Sequence, residues 1–175
     1  MIISVDNAKK LIDIPEKWTD EKLSFKLAAI EQTIRRYTNN NFHDTAYRLT
    51  ADIVGGLFVS DFPAPFAIGD TVQISESWMN KGLFVIASCD DRTFTVEEET
   101  REEDAVLVTK VVYPEDVIDC ALSLLEWDIK HRDKIGIKSE TLSRHSVTYE
   151  DSASMFNGYP KGILNSVDLY KKARF

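Results

Sequence analysis

The side chains best suited to acid–base, nucleophilic or metal chemistry in this 175-residue chain are three histidines and two cysteines. His43, His131 and His145 fall on a loop, a helix end and a polar strand, and none stands at metal-ligand spacing from another His, Cys or carboxylate. His131 is placed to serve a helix C-terminus, where a cation is favourable. Cys89 and Cys120 lie on segments of different type and are expected as reduced core thiols, a disulfide or redox pair being the less favoured alternative. Nothing near Cys120 in sequence resembles a nucleophile with its base. The run Glu97-Glu98-Glu99-Thr100-Arg101-Glu102-Glu103-Asp104 could hold a divalent cation, but the calcium-loop spacing with its Gly is absent. A solvated hairpin tip is the expectation there. Gly55-Gly56 alone is no phosphate loop. These residues predict no catalytic site, no metal and no cofactor. An enzyme would need a site assembled from distant residues, with His43, His131 and His145 gathered in one cleft.

Contact chemistry offers more. Phe62–Phe66 and Trp78-Met79 lie in loop-like stretches, and Phe58, Phe62, Phe66 and Trp78 form a candidate contact surface. The alternative is that the Pro-flanked aromatics close a barrel end.

The elements that would carry these residues follow from periodicity. Ser4 can cap a short helix, Val5 to Ile12, with Ala8, Leu11 and Ile12 inward. Thr19 caps a second, with Trp18 placed to staple onto Leu23; Leu23, Leu27, Ile30, Ile34 and Tyr37 form its stripe, and Asn39-Asn40-Asn41 stops it. From Phe42 the pattern changes to short β-branched and aromatic runs: Tyr47–Ile53, Leu57–Val59, Thr71–Ser75, Leu83–Ser88, Thr93–Glu98 and Val106–Val112. Turn signals separate them, which predicts a small antiparallel barrel of SH3-like or OB-like type. A third helix opens at Pro114, with Glu115 and Asp116 in its first turn and Ile118, Ala121, Leu122, Leu125 and Ile129 inward. Val117, Leu124 and Trp127 widen that face, and Gly136 is its expected stop. The segment Leu142–Tyr149 then reads as one polar strand without a partner in its own chain. The fold class expected is α+β: a small bundle of three to four helices from residues 1–42 and 113–175, with the barrel, residues 43–112, inserted between helices two and three.

The formal net charge is −8. Tyr47 to Tyr113 holds five Lys/Arg and twelve Asp/Glu, whereas Lys130 to Phe175 holds nine Lys/Arg and five Asp/Glu. Neither block is a nucleic-acid footprint, since no basic run is interleaved with aromatics. No apolar run reaches membrane-spanning length, and MIISVDNAKK lacks the pattern of a signal peptide, so a cytosolic protein is expected.

The order of MIISVDNAKKLIDIP, a capped helix ending IRRYTNNNF, YPEDVIDCALSLLEWDIKHRDKIGIKSETLSRHSVTYE and YPKGILNSVDLYKKARF resembles the head–tail connector proteins (adaptor or head-completion proteins) of long-tailed double-stranded DNA phages and prophages. GIKSETLSRHSVTYE, a following Tyr-Pro and the closing LYKKARF carry most of the likeness; His145 stands where that family commonly has an aromatic. The likeness covers residues 1–42 and 113–175, and GDTVQISESWMNKGLFVI is similar to barrel insertions in some members from phages of Gram-positive hosts. It implies a structural virion protein that forms a ring beneath the portal, extends the DNA channel and receives stopper or tail proteins. The partners implied are further copies of itself (a dodecamer in the virion, a monomer when isolated), the portal protein and a stopper or tail-completion protein. DNA would pass through without sequence-specific binding, and no membrane is involved. The protein would occupy the host cytoplasm during assembly and then the virion neck. Leu169, Tyr170, Lys171, Lys172, Arg174 and Phe175 become a portal-docking tail, expected as a solvated end on the isolated subunit. Leu142, Arg144, His145, Val147 and Tyr149 become a strand offered to a neighbouring subunit or partner. The competing reading is a small interaction or regulatory module that binds a peptide or ligand through the barrel.

Overall fold

The computed structural model describes residues 1–131, 139–142, 145–148 and 154–173. The chain forms two compact units, one of Asn41–Tyr113 with Met1 and one of Ile2–Asn40 with Pro114–Phe175.

The helical unit begins with α1, Val5–Leu11, whose N-cap Ser4 accepts from the Asn7 amide. Ala8 is buried as expected, but Leu11 is 63% exposed. The helix is only two turns long and ends at Leu11, with Ile12 in extended conformation. Helix α2, Asp20–Thr38, is capped by Thr19 and buries Leu23, Leu27, Ile30 and Ile34 along one stripe, while Tyr37 is only half-buried. Asn39 ends it in the left-handed region at φ 50°, a conformation Asn tolerates. Helix α3, Glu115–His131, packs on α2 and buries Val117, Cys120, Ala121, Leu124 and Leu125. Ile118, Trp127 and Ile129 are half-buried, and the carboxylate of Asp128 takes an inward position instead.

The expectation that this unit is all-helical is corrected by two small sheets. The stretch read as one unpartnered strand from Leu142 to Tyr149 holds the second half of a hairpin. Strands β7, Ser139–Leu142, and β8, His145–Thr148, pair antiparallel with Leu142 opposite His145 and Ser139 opposite Thr148. One edge of β8 is thus paired within its own chain. Residues Arg144 and Tyr149, the side chains of Leu142, His145 and Val147, and the expected stop at Gly136 lie outside the described residues. A second pair, β9 (Met155–Phe156) and β10 (Tyr159–Pro160), is joined by Asn157 and Gly158 at φ 51° and 81°, the turn geometry Asn-Gly favours. Helix α4, Lys161–Leu164, and a 3-10 helix, Asn165–Tyr170, follow and bury Leu164 and Val167.

The six strands β1–β6 lie in chain order between α2 and α3: β1 His43–Val54, β2 Leu57–Val59, β3 Thr71–Ser75, β4 Gly82–Cys89, β5 Thr93–Val96 and β6 Glu103–Val111. They close as an antiparallel barrel in the order β1-β2-β5-β4-β3-β6, so each strand is paired on both sides and no edge is left. Gly55 and Gly56, at φ 59° and 81°, make the two-residue turn from β1 to β2. Alternate residues of β1, β3 and β6 fill the interior: Leu49, Ala51, Ile53, Val72, Ile74, Val106 and Val108. Ile86, Phe58, Phe66 and Phe94 complete it, with the Phe58 and Phe94 rings stacked at 4.6 Å and Phe66 edge-on to Phe94 at 5.3 Å. Opposite Asp52, β6 carries one extra residue; Ala105 sits there at φ 55° and donates its amide to Asp52. Such a bulge re-aims the residues beside it.

Among the described residues no helix is long and apolar enough to cross a membrane.

Candidate functional site

In the barrel unit the chain enters and leaves at one end, where His43 pairs with Val111. The β3–β4 loop lies at the other end and carries Trp78, which is 97% exposed, and Met79, also exposed. This loop is held, not loose. The bulge at Ala105 leaves the Glu103 carboxylate beneath it, accepting from Ser77 Oγ at 2.7 Å, from the amides of Trp78 and Met79, and from Asn80 Nδ2 at 2.8 Å. Asn80 is buried and ties the loop to the β5–β6 segment in both directions, Nδ2 donating to the Arg101 carbonyl and Oδ1 accepting the Arg101 amide. The Ser77 hydroxyl and the Trp78 amide, with Asn80 and Met79 adding, draw the Glu103 carboxyl down to about 2. The result is a rigid loop that presents an indole to solvent.

The four residues expected as one contact surface divide. Trp78 and Phe62 are exposed, the latter at 72%. Phe58 and Phe66 are corrected to core: both are buried in the barrel interior, where their rings pack against Phe94. The alternative of Pro-flanked aromatics closing a barrel holds for Phe66 and not for Phe62. The acidic run is likewise no hairpin tip. Strands β5 and β6 are not neighbours in the barrel, so Glu97–Glu102 cross over β4, where Glu98 accepts the Val85 amide.

In the helical unit the C-terminal segment departs from the expected solvated end. The Lys172 amide donates to the Thr38 carbonyl at 2.8 Å, which extends satisfaction of the α2 C-terminus. Asn39 Nδ2 donates to the carbonyls of Lys172 and Ala173, and Asn40 Nδ2 to that of Tyr170. The Tyr170 hydroxyl donates to both Asp116 oxygens, at 2.8 and 2.9 Å, and this bond raises its phenol above the ordinary value. Lys171 pairs with Asp168 at 2.7 Å and lies over the Tyr37 ring at 3.9 Å; Asp168 also accepts from the Tyr37 hydroxyl. The Asn residues that stop α2 therefore also tether the segment. Leu169 is still 91% exposed and Lys171 and Lys172 stay at the surface. Arg174 and Phe175 lie outside the described residues.

The residues first considered for chemistry are engaged elsewhere. His43 opens β1 and its Nε2 lies 2.9 Å from Gln73 Oε1. His131 ends α3 and stacks on Trp127 at 5.9 Å. Both cysteines are free, and burial pushes the Cys120 thiol up, away from the thiolate a nucleophile needs. No group of three or more His, Cys, Asp or Glu among the described residues could hold a metal ion. Sequence reasoning missed Asp128: it is 2% exposed, accepts from the Tyr159 hydroxyl at 2.7 Å and has Lys26 Nζ at 3.4 Å. Its place four residues after Leu124, on the inward face of α3, was the available signal.

Compared with known proteins, the chain matches no family model and no curated protein.

Proposed function

We propose that this chain is a structural virion protein, a head–tail connector that forms a ring beneath the phage portal, extends the DNA channel and receives the stopper or tail proteins. The observation that carries the reading is the order of the four segments similar to connector proteins. Residues 2–40 and 114–175 belong to one compact unit although the barrel strands separate them in sequence. On this reading the helical unit is the connector domain, and the barrel, SH3-like or OB-like in size, is an insertion between α2 and α3. A formal charge of −8 suits a channel protein, because a surface rich in Lys and Arg would hold the passing duplex by counterion release. The portal contact is not assigned to a free tail, since the segment through Ala173 is fastened to its own subunit.

The test is electron microscopy of the purified full-length protein mixed with the portal protein of the same genome. Coaxial rings on the portal support the reading; portal that stays bare overturns it. The second reading, a module that binds a peptide or ligand through the barrel, draws on the exposure of Trp78. Saturable quenching of Trp78 emission by such a ligand, in a monomer that never decorates portal, would favour it.

A further inference from the structure

Asn157-Gly158 is the only Asn-Gly pair in the chain. Both residues are exposed, and they form the two-residue turn between β9 and β10 at φ 51° and 81°. Positive φ at both central positions makes this a type I′ turn. The residues on either side of it are packed. Phe156 meets the Tyr37 ring edge-on at 5.2 Å, and Tyr159, buried, donates to Asp128 and lies against Trp127.

An Asn-Gly pair can react with itself. The Gly158 amide nitrogen attacks Asn157 Cγ; a C–N bond forms, the Cγ–Nδ2 bond breaks, and the nitrogen's proton leaves with Nδ2 as ammonia. Water then opens the cyclic imide at either carbonyl. One opening leaves aspartate; the other leaves isoaspartate, in which the main chain runs through the side-chain carbon. Only water is consumed. A side chain on the second residue would hinder the attack, and a Cβ built on Gly158 would meet no atom within 4 Å, so neighbouring groups do not shield it either.

The fold permits the geometry. Ring closure needs the ψ that the first central residue has in a type II′ turn, where its φ stays positive. Rotating the one peptide plane between Asn157 and Gly158 makes that change and takes Gly158 to negative φ, which glycine enters freely. Phe156 stays opposite Tyr159, and Met155 opposite Pro160. Other asparagines are held. Asn39 also has positive φ, but the amide after it donates to the Arg35 carbonyl, and its own Nδ2 donates to Lys172 and Ala173. Asn80 is buried with both side-chain amide atoms bonded.

We propose that Asn157 is a site of spontaneous deamidation and isomerisation, and that its isoaspartate form loosens the helical unit. Aspartate tolerates positive φ and leaves the turn intact. Isoaspartate adds a backbone atom to a loop whose length sets the register of the hairpin, and so draws Tyr159 away from Asp128. Both products add a negative charge. The proposal is independent of the connector reading.

Ageing the native full-length protein in warm, mildly alkaline buffer, followed by peptide mapping with mass spectrometry, tests it. The peptide that contains Asn157 should gain the mass by which a hydroxyl exceeds an amino group and resolve into aspartate and isoaspartate forms, ahead of every other asparagine. The folded protein should react within about a hundred-fold of the rate in urea, because the peptide rotation leaves the hairpin closed; a reaction that waited for unfolding would be slowed by the whole opening free energy. Asn157→Gly keeps a pair that suits the turn and should show no product at this position. The purified isoaspartate form should unfold at a urea midpoint lower by about 1 M, read from Trp18 and Trp127 emission, whereas Asn157→Asp should unfold like the wild type. An unchanged Asn157 in protein whose other asparagines have reacted overturns the proposal. So does folded protein that reacts more slowly than that hundred-fold margin, or an isoaspartate form with the wild-type midpoint.

Discussion

Tyr159→Phe removes one hydroxyl and keeps the ring. In the helical unit that hydroxyl donates to Asp128 Oδ2 at 2.7 Å, and Lys26 Nζ lies 3.4 Å from the same oxygen. The carboxylate is 2% exposed, so water cannot replace a lost donor. Hydrogen bonds to charged groups contribute ~1.5–3 kcal/mol, and the loss should fall in that range. Packing should change little, because the ring keeps its edge-on contact with Trp127 at 5.8 Å. Urea unfolding followed by tryptophan emission isolates the effect. Trp18 and Trp127 belong to the helical unit, whereas Trp78 is already solvent-exposed when folded and reports little. With a slope of ~1.5 kcal/mol per molar urea, the midpoint should fall by roughly 1–2 M. Lys26→Met should cost more, ~3 kcal/mol or above, since it takes a cation from a buried carboxylate. A Tyr159→Phe midpoint within about 0.3 M of the wild type would refute the view that this bond joins α3 to the segment after β9.

Further outcomes are expected from the same structure. Glu103 titrates near 2 in the folded protein against an ordinary 4.5, so its contribution is fully present above 4.5 and is lost as pH falls through about 2. The amide signals of Trp78 and Met79 should therefore hold until pH drops toward that lower value, and Glu103→Gln should abolish the transition. Phe58→Ala opens a cavity beside Phe94 and should cost the barrel ~3–5 kcal/mol; limited proteolysis between Asn41 and Tyr113 measures it. Deleting residues 170–175 removes the bonds that the Thr38 carbonyl and the Asn39 and Asn40 side chains make to that segment. The melting temperature of the helical unit should drop by a few degrees; an unchanged value would return the segment to the status of a free tail.

What the sequence made legible was local. The stripe Leu23, Leu27, Ile30 and Ile34, the caps Ser4 and Thr19, and the Gly55-Gly56 turn each follow from a few neighbouring residues, and each stands as read. Phe58 shows where this fails. It sits in the three-residue strand Leu57-Phe58-Val59, where every residue is apolar and a period of two cannot say which one points inward. Glu103 is one of six glutamates or aspartates in its run, and only the bulge at Ala105 singles it out. The C-terminal segment was misread because its tethers come from Thr38, Asn39 and Asn40, some 130 residues away in the chain. The pairing of Ser139–Leu142 with His145–Thr148 was not legible because polar strands show no alternation to mark them.

The ring itself is tested most directly by cryo-electron microscopy of the full-length protein added to portal assemblies of the same genome, with two-dimensional classes taken down the channel axis. The account predicts an added layer of closed rotational symmetry, coaxial with the portal, in which each subunit contributes one barrel to the same side. Portal particles without that layer, in the presence of folded protein at concentrations well above those of the portal, would contradict it.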